Sequence, residues 1–190
     1  MRVFVIRHGQ TESNKNRRLM GHVDTPLKQR SITTTKSLSE TFKSISLDKI
    51  FTSDLGRSFI TAYYFAKELD SLHLITASKK IREVDYGELT HMKKNYVIKH
   101  YPLYKKEWNY VFPKGESYSQ VRDRVFDFLK KQETKGYDNI LLVTHSGVIR
   151  CLMTISPDKY PNPLSLSLDH NTIYSLIVDE GILKDFKKYS

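Results

Sequence analysis

The chain has 190 residues, 39% hydrophobic and 27% charged: long enough for a packed core and too apolar for a disordered chain. No apolar run approaches the ~20 residues of a membrane helix, the N-terminal run is too short for a signal-peptide core, and Cys151, the one cysteine, has no partner for an internal disulfide. A cytoplasmic protein without membrane contact is expected. The formal net charge of +10 points to an acidic partner, either small phosphorylated metabolites or nucleic acid, with solvated surface lysine as the plain alternative. No helix-turn-helix, zinc-finger spacing or RNA-binding aromatic motif singles out nucleic acid.

Val3-Phe4-Val5-Ile6 reads as a strand buried on both faces, and it stops abruptly at Arg7-His8-Gly9. In open α/β sheets ligands bind just past the carboxyl ends of strands. A guanidinium and an imidazole there, followed by a glycine that lets backbone approach a ligand, are placed for anion chemistry. A strand ending in surface polar residues is the alternative. Lys15 to Met20 is polar and runs around the rim, and Gly21 to Leu27 is a loop in which Pro26 disfavours helix at Thr25.

Leu38, Phe42 and Ile45 fall at the spacing of an amphipathic helix. Ile50 and Phe51 begin a strand ending at Ser53-Asp54, and Gly56 to Leu69 returns to helix with Phe59, Tyr63 and Ala66 on one face. Arg57 lies in that helix's first turn, where free backbone N–H groups also favour anions; a surface pair with Asp54 is the alternative. His73 to Ile75 is a short strand, and the loop from Ser78 to Gly87 brings in Arg82, Glu83, Asp85 and then Glu88.

Residues 91–112 carry His91, Lys93, Lys94, Lys99, His100, Lys105 and Lys106, interleaved with Tyr96, Tyr101, Tyr104, Trp108 and Tyr110. Such a segment suits a second phosphate or a ring on a ligand, or it is a solvated helical face whose aromatics pack onto the domain. Ser117 and Gln120 make a capping box ahead of Val121, Val125, Phe128 and Leu129, and Gly136 ends that helix. Ile140 to Val143 repeats the first design, an apolar strand closed by Thr144-His145-Ser146-Gly147. Val148 to Met153 is a short helix stopped near Pro157, Pro161 and Pro163 mark a loop, and 172–178 with 182–186 form a hairpin around Asp179-Glu180-Gly181. With no internal repeat or linker, residues 1–190 read as one α/β domain with a variable lid-like insertion at about 90–112.

Three strands that each deliver a cationic or imidazole group at one end could converge on a phosphate-sized site. The motifs Arg7-His8-Gly9-Gln10-Thr11-Glu12-Ser13-Asn14, Ser53-Asp54-Leu55-Gly56-Arg57-Ser58, Arg82-Glu83-Val84-Asp85-Tyr86-Gly87 and Thr144-His145-Ser146-Gly147-Val148-Ile149-Arg150 resemble, in order, those of the histidine phosphatase superfamily, phosphoglycerate mutase-like branch. The resemblance implies a phosphoglycerate mutase-like, three-layer αβα sandwich around a mostly parallel central sheet. It marks His8 as the nucleophile, Arg7, Arg57 and His145 as binders of the phosphoryl group, and Glu83 as general acid and base, with Asp85 and Glu88 as runners-up. It further implies substrate contacts from Asn14, Gln10, Thr11, Gly21, His22 and the Ser146 backbone N–H, although His22 stands where the family varies. Ser31 and Thr34 stand where the family has Gly and Gln, which puts the start of the next helix in question. No cofactor or metal is called for, since the histidines lack zinc-ligand spacing.

The expected activity is hydrolysis of small phosphorylated metabolites through a phosphohistidine. The alternative is a bisphosphoglycerate-primed phosphoglycerate mutase. The more distant alternative is an inactive phosphate- or nucleic-acid-binding protein, motivated by the basic charge. The natural substrate and the oligomeric state are not legible in the sequence.

Overall fold

A computed structural model of the protein describes residues 1–170 and 172–189. Its centre is a six-stranded sheet in the order β3-β2-β4-β1-β5-β6. The strands are β1 (Arg2–Arg7), β2 (Lys49–Ser53), β3 (Ile75–Ser78), β4 (Asn139–Thr144), β5 (Ile173–Asp179) and β6 (Ile182–Lys188). The first four are mutually parallel, and the β5–β6 hairpin runs antiparallel along one edge. This is the expected mixed α/β architecture with a mostly parallel sheet.

The helices are α1 (Glu12–Lys15), α2 (Gln29–Ser39), α3 (Gly56–Lys67), α4 (Lys94–His100), α5 (Tyr118–Glu133) and α6 (Ser146–Met153). Alternate residues of β1 explain the three layers. Phe4 and Ile6 face a core built with Phe42, Ala62, Phe65 and Ala66, on the α2–α3 side. Val3 and Val5 face the opposite core, with Val121, Val125, Leu129 and Ile149 of α5 and α6. Both faces of the strand are water-free because helices cover both. Each such side chain contributes ~1.5–3 kcal/mol of burial. No helix among the described residues is long and apolar enough to cross a membrane.

Several local expectations shift. Helix α2 starts at Gln29 despite Ser31 and Thr34, and it gives way at Glu40–Phe42 to a 3₁₀ turn, so Leu38, Phe42 and Ile45 do not share one continuous α-helix. In α3 the buried stripe is Arg57, Ser58, Thr61, Ala62, Phe65 and Ala66, whereas Phe59 and Tyr63 are exposed. Small polar residues occupy the inner face there because they hydrogen-bond the strand ends, which an apolar-periodicity count cannot register. Residues 72–74 form a 3₁₀ turn, and the third strand begins only at Ile75. The Ser117–Gln120 capping box is present at the start of α5, and the terminal hairpin is slightly longer than its apolar pattern.

Candidate active site

The parallel pairing of β1 with β4 sets Arg7 opposite Thr144, so the residues that follow, His8 and His145, leave the sheet side by side. The His8 amide donates to the Thr144 carbonyl at 2.8 Å, and the two imidazole centroids lie 5.0 Å apart. His8 Nδ1 sits 2.8 Å from the Gly9 carbonyl oxygen. A carbonyl only accepts, so Nδ1 carries the proton and the Nε2 lone pair is free to attack. The Gly9 amide is in turn held by Thr61 Oγ1 at 3.0 Å, and that hydroxyl donates to the Arg57 carbonyl at 2.7 Å. Thr61 therefore ties the nucleophile's loop to the first turn of α3.

Arg57 lies in that turn with Nη2 donating to the Gly21 carbonyl and Nη1 to the Val23 carbonyl and Asp24 Oδ1. Asp24, rather than Asp54, is its carboxylate partner, and it also accepts from the Gly56 amide at the start of α3. Asp54 instead pairs with Arg82 through two contacts of 2.6 Å. Arg7 donates from Nη1 to the Leu168 carbonyl at 2.6 Å. Among the described residues, the Nε atoms of Arg7 and Arg57 and both ring nitrogens of His145 are buried without hydrogen-bond partners. Unsatisfied buried donors are costly, and an anion could accept from the two guanidinium Nε–H groups and from the one His145 nitrogen that carries a proton.

Glu83 enters from the loop that crosses the sheet's carboxyl edge. Its Oε1 accepts from the Val84 and Gly147 amides, and its Oε2 from Ser146 Oγ at 3.1 Å. A Cβ at residue 147 would overlap that carboxylate, so the close approach requires glycine there. Arg124 of α5 stitches the loop from behind, donating to the Lys80, Arg82 and Glu83 carbonyls and to Glu116. Nothing in the sequence pattern of α5 marks Arg124 for this.

Arg7, His8, Asn14, Arg57, Glu83 and Ser146 line one small pocket, joined by Arg18, Leu19, Met20, Tyr86 and Lys94. The other predicted contacts fall elsewhere. Gln10 is exposed and faces a separate cavity beside α2. Thr11 is wholly buried and caps α1, forming a capping box with Asn14. Gly21 reaches the site only through its carbonyl on Arg57. His22 donates to the Glu83 carbonyl at 2.9 Å from outside the pocket. Asp85 binds the Gly87 amide, and Glu88 is exposed and paired with Lys114, so neither carboxylate faces His8.

Of the basic lid, Lys94 and Lys105 turn inward, while Lys93, Lys99, Lys106, His91 and His100 are exposed. Val97, Tyr104 and Phe112 are buried in the core, with Tyr101, Trp108 and Tyr110 packed against it. Both readings of that segment therefore hold in part. Backbone pairing of residues 17–19 with 91–94 brings Lys94 to the rim.

Burial pushes His8 well below its ordinary 6.5, and the adjacent Arg57 and Arg7 push the same way. His145 is lowered likewise, by burial and then Arg57. His170, whose Nδ1–H donates to the His8 carbonyl, is lowered to about 4, chiefly by burial and then by Arg7. Burial lowers Arg7 to about 10, which still leaves it charged at neutral pH. Neutral imidazoles thus stand beside fixed guanidinium charge, and of the three only His8 lines the pocket, with His145 and His170 behind it.

A stability effect follows. The unfolded chain protonates these imidazoles near pH 6.5 while the folded chain resists, so the unfolded state binds more protons as pH falls. Stability is complete above about pH 6.5 and drops below it, with a slope of up to about 4 kcal/mol per pH unit if three imidazoles are involved. Urea midpoints at pH 7.5 and 5.5 check this, and equal midpoints would contradict it.

A family model described as "Histidine phosphatase superfamily (branch 1)" matches residues 3–182. The chain belongs to the histidine phosphatase superfamily. The chain is 29% identical over 161 residues to adenosylcobalamin/α-ribazole phosphatase of Escherichia coli K12, covering 80% of this chain and 77% of that one. It is also 29% identical over 160 residues to a probable phosphoglycerate mutase of Salmonella choleraesuis, covering 81% and 74%. Its fold matches mycobacterial glucosyl-3-phosphoglycerate phosphatase, with a TM-score of 0.83 at 19% identity over 100% of this chain and 97% of that chain. It also matches a phosphoglycerate mutase from Bacillus anthracis, with a TM-score of 0.84 at 24% identity over 97% and 90%. The relatives are phosphatases and mutases, and the chain is a phosphatase-type enzyme of this superfamily.

Proposed function

We propose that the protein is a metal-independent phosphomonoesterase acting on small phosphorylated metabolites through a phosphohistidine. The observation that carries this reading is His8 itself, with Nδ1 anchored on a carbonyl, and beside it the guanidinium Nε–H groups of Arg7 and Arg57, which have no partner among the described residues. Phosphoryl transfer calls chiefly for positioning and for neutralising charge on the non-bridging oxygens. Planar guanidinium forks do this with directional donors. His8 Nε2 forms the N–P bond as the ester O–P bond breaks, and the departing alkoxide takes a proton from the Glu83 carboxyl. Water then gives its proton to the Glu83 carboxylate and attacks phosphorus, the N–P bond breaks, and phosphate leaves with His8 restored.

The test is phosphate release from a panel of phosphorylated metabolites in the presence of EDTA. Release by the wild type is the expected result. Turnover seen only with a bisphosphoglycerate primer would replace hydrolysis by the mutase reaction, which shares this pocket. Turnover restored only by added divalent metal would contradict the metal-independent mechanism.

A further inference from the structure

The peptide that joins His8 to Gly9 follows the nucleophile directly, and side chains from far along the chain hold both of its polar groups. The Gly9 amide donates to Thr61 Oγ1 of α3 at 3.0 Å, and the His8 carbonyl accepts from His170 Nδ1 at 2.6 Å. The next carbonyl, that of Gly9, is the acceptor that keeps the proton on His8 Nδ1. Glycine has wide freedom in φ and ψ, so rotation of the His8–Gly9 peptide would swing the Gly9 carbonyl away from the ring. The bond from the His8 amide to the Thr144 carbonyl belongs to the preceding peptide and does not restrain this one.

The sheet sets the position of His170. Antiparallel pairing of β5 with β1 places Ile173 opposite Ile6, so the segment that enters β5 runs past the end of β1. In that segment the Leu168 carbonyl accepts from Arg7 Nη1 at 2.6 Å, two residues before the ring that reaches the His8 carbonyl. One stretch thus holds the side chain of Arg7 and the backbone of His8. The His170 ring also meets the His8 ring edge-on, with centroids 5.7 Å apart. Burial, and then the Arg7 charge, lowers His170 to about 4, so at neutral pH the ring holds one proton, and the hydrogen bond keeps it on Nδ1. His170 lines the cavity beside α2, with Gly9, Ser31 and Thr35, and not the catalytic pocket, so any effect on substrate passes through His8.

We propose that His170 is a positioning residue for His8: by holding the His8 carbonyl it fixes the His8–Gly9 peptide, and through the Gly9 carbonyl it sets the tautomer and aim of the attacking imidazole. The consequence for the reaction rests on the phosphatase reading, in which Nε2 attacks phosphorus. A ring that merely filled space would be replaced equally well by any side chain of similar size, whereas a donor on the carbonyl is replaced only by another donor. Asn and Leu have nearly the same size and branching, and of the two only Asn carries an N–H near the place of the histidine Nδ1–H.

The test compares His170→Asn with His170→Leu. Phosphoenzyme formation in rapid quench is expected to slow about ten- to a hundredfold in His170→Leu and to stay within about threefold of the wild type in His170→Asn. The affinity for inorganic phosphate should change by less than about threefold in both, because Arg7 and Arg57 still hold the anion. The tautomer of His8 is read without turnover, from two-bond ¹H–¹⁵N couplings in protein labelled with ¹⁵N-histidine. A single Nδ1–H form in the wild type and in His170→Asn, against a mixture of Nδ1–H and Nε2–H forms in His170→Leu, is the expected result. Equal rates and tautomers in the wild type and His170→Leu would overturn the proposal. So would equal impairment of both variants, since the ring would then serve by packing alone. Where His170→Leu does not fold, a loss of about tenfold or more in His170→Asn overturns it unaided. A wild type that forms no phosphoenzyme, with the His8 tautomer shifted in His170→Leu, would leave the positioning role standing and overturn the hydrolase reading.

Discussion

Replacing His8 with alanine is expected to lower phosphate release by about 10⁴-fold or more, with little change in KM for the best substrate. The asymmetry follows from the division of labour in the pocket. In the proposed mechanism Arg7 and Arg57, which line the pocket beside His8, hold the phosphoryl group whether or not the His8 ring is present, whereas bond formation to phosphorus depends on its Nε2 alone. The fold should tolerate the change, because the ring's polar contact is a single hydrogen bond to the adjacent Gly9 carbonyl. A steady-state assay on the variant, with its circular dichroism compared to the wild type, checks both points. Retention of even a tenth of wild-type turnover would remove His8 from the chemistry.

The second large effect is expected at Glu83. In Glu83→Gln the amide oxygen can keep the bonds from the Val84 and Gly147 amides, so the loop stays in place while the transferable proton is lost. Alkyl phosphates have poor leaving groups that need that proton, and their hydrolysis should slow by ~10²–10⁴-fold. Nitrophenyl phosphate expels a stable phenolate and should lose far less in its first step. The ratio of the two losses, measured as phosphoenzyme formation in rapid quench, isolates proton donation from positioning. Equal losses on both esters would assign Glu83 a merely structural part.

The elements that carry the site were the most legible in the sequence, for a physical reason. Strands β1 and β4 are covered on both faces, so their apolar runs are unbroken, and the abrupt change at Arg7-His8 and at His145 marks where the sheet ends and ligand space begins. The Ser117–Gln120 cap is a local interaction and could be read locally. The inner face of α3 has no apolar signature because Ser58 donates to the Val143 carbonyl and Thr61 accepts from the Gly9 amide, partners far away in the chain.

Long-range partners hid the rest as well. Asp24 on Arg57, Arg124 behind Glu83, and His170 on the His8 carbonyl are all set by the fold and have no spacing signature. Thr11 and Gln10 show the opposite failure. The family resemblance implies ligand contact for both, but the turn into α1 buries the first as a cap and points the second into another cavity. In the lid, composition described the basic surface, but only the backbone pairing of residues 17–19 with 91–94 selects Lys94 from its neighbours.

The central claim, a covalent phosphohistidine at residue 8, is tested most directly by acid-free rapid quench of the wild-type enzyme turning over a ³²P-labelled phosphoester, followed by peptide mapping. Acid-labile, alkali-stable label on the peptide that contains His8, and its absence in His8→Ala, is the predicted result. Turnover with no label, or label that persists in His8→Ala, would contradict it.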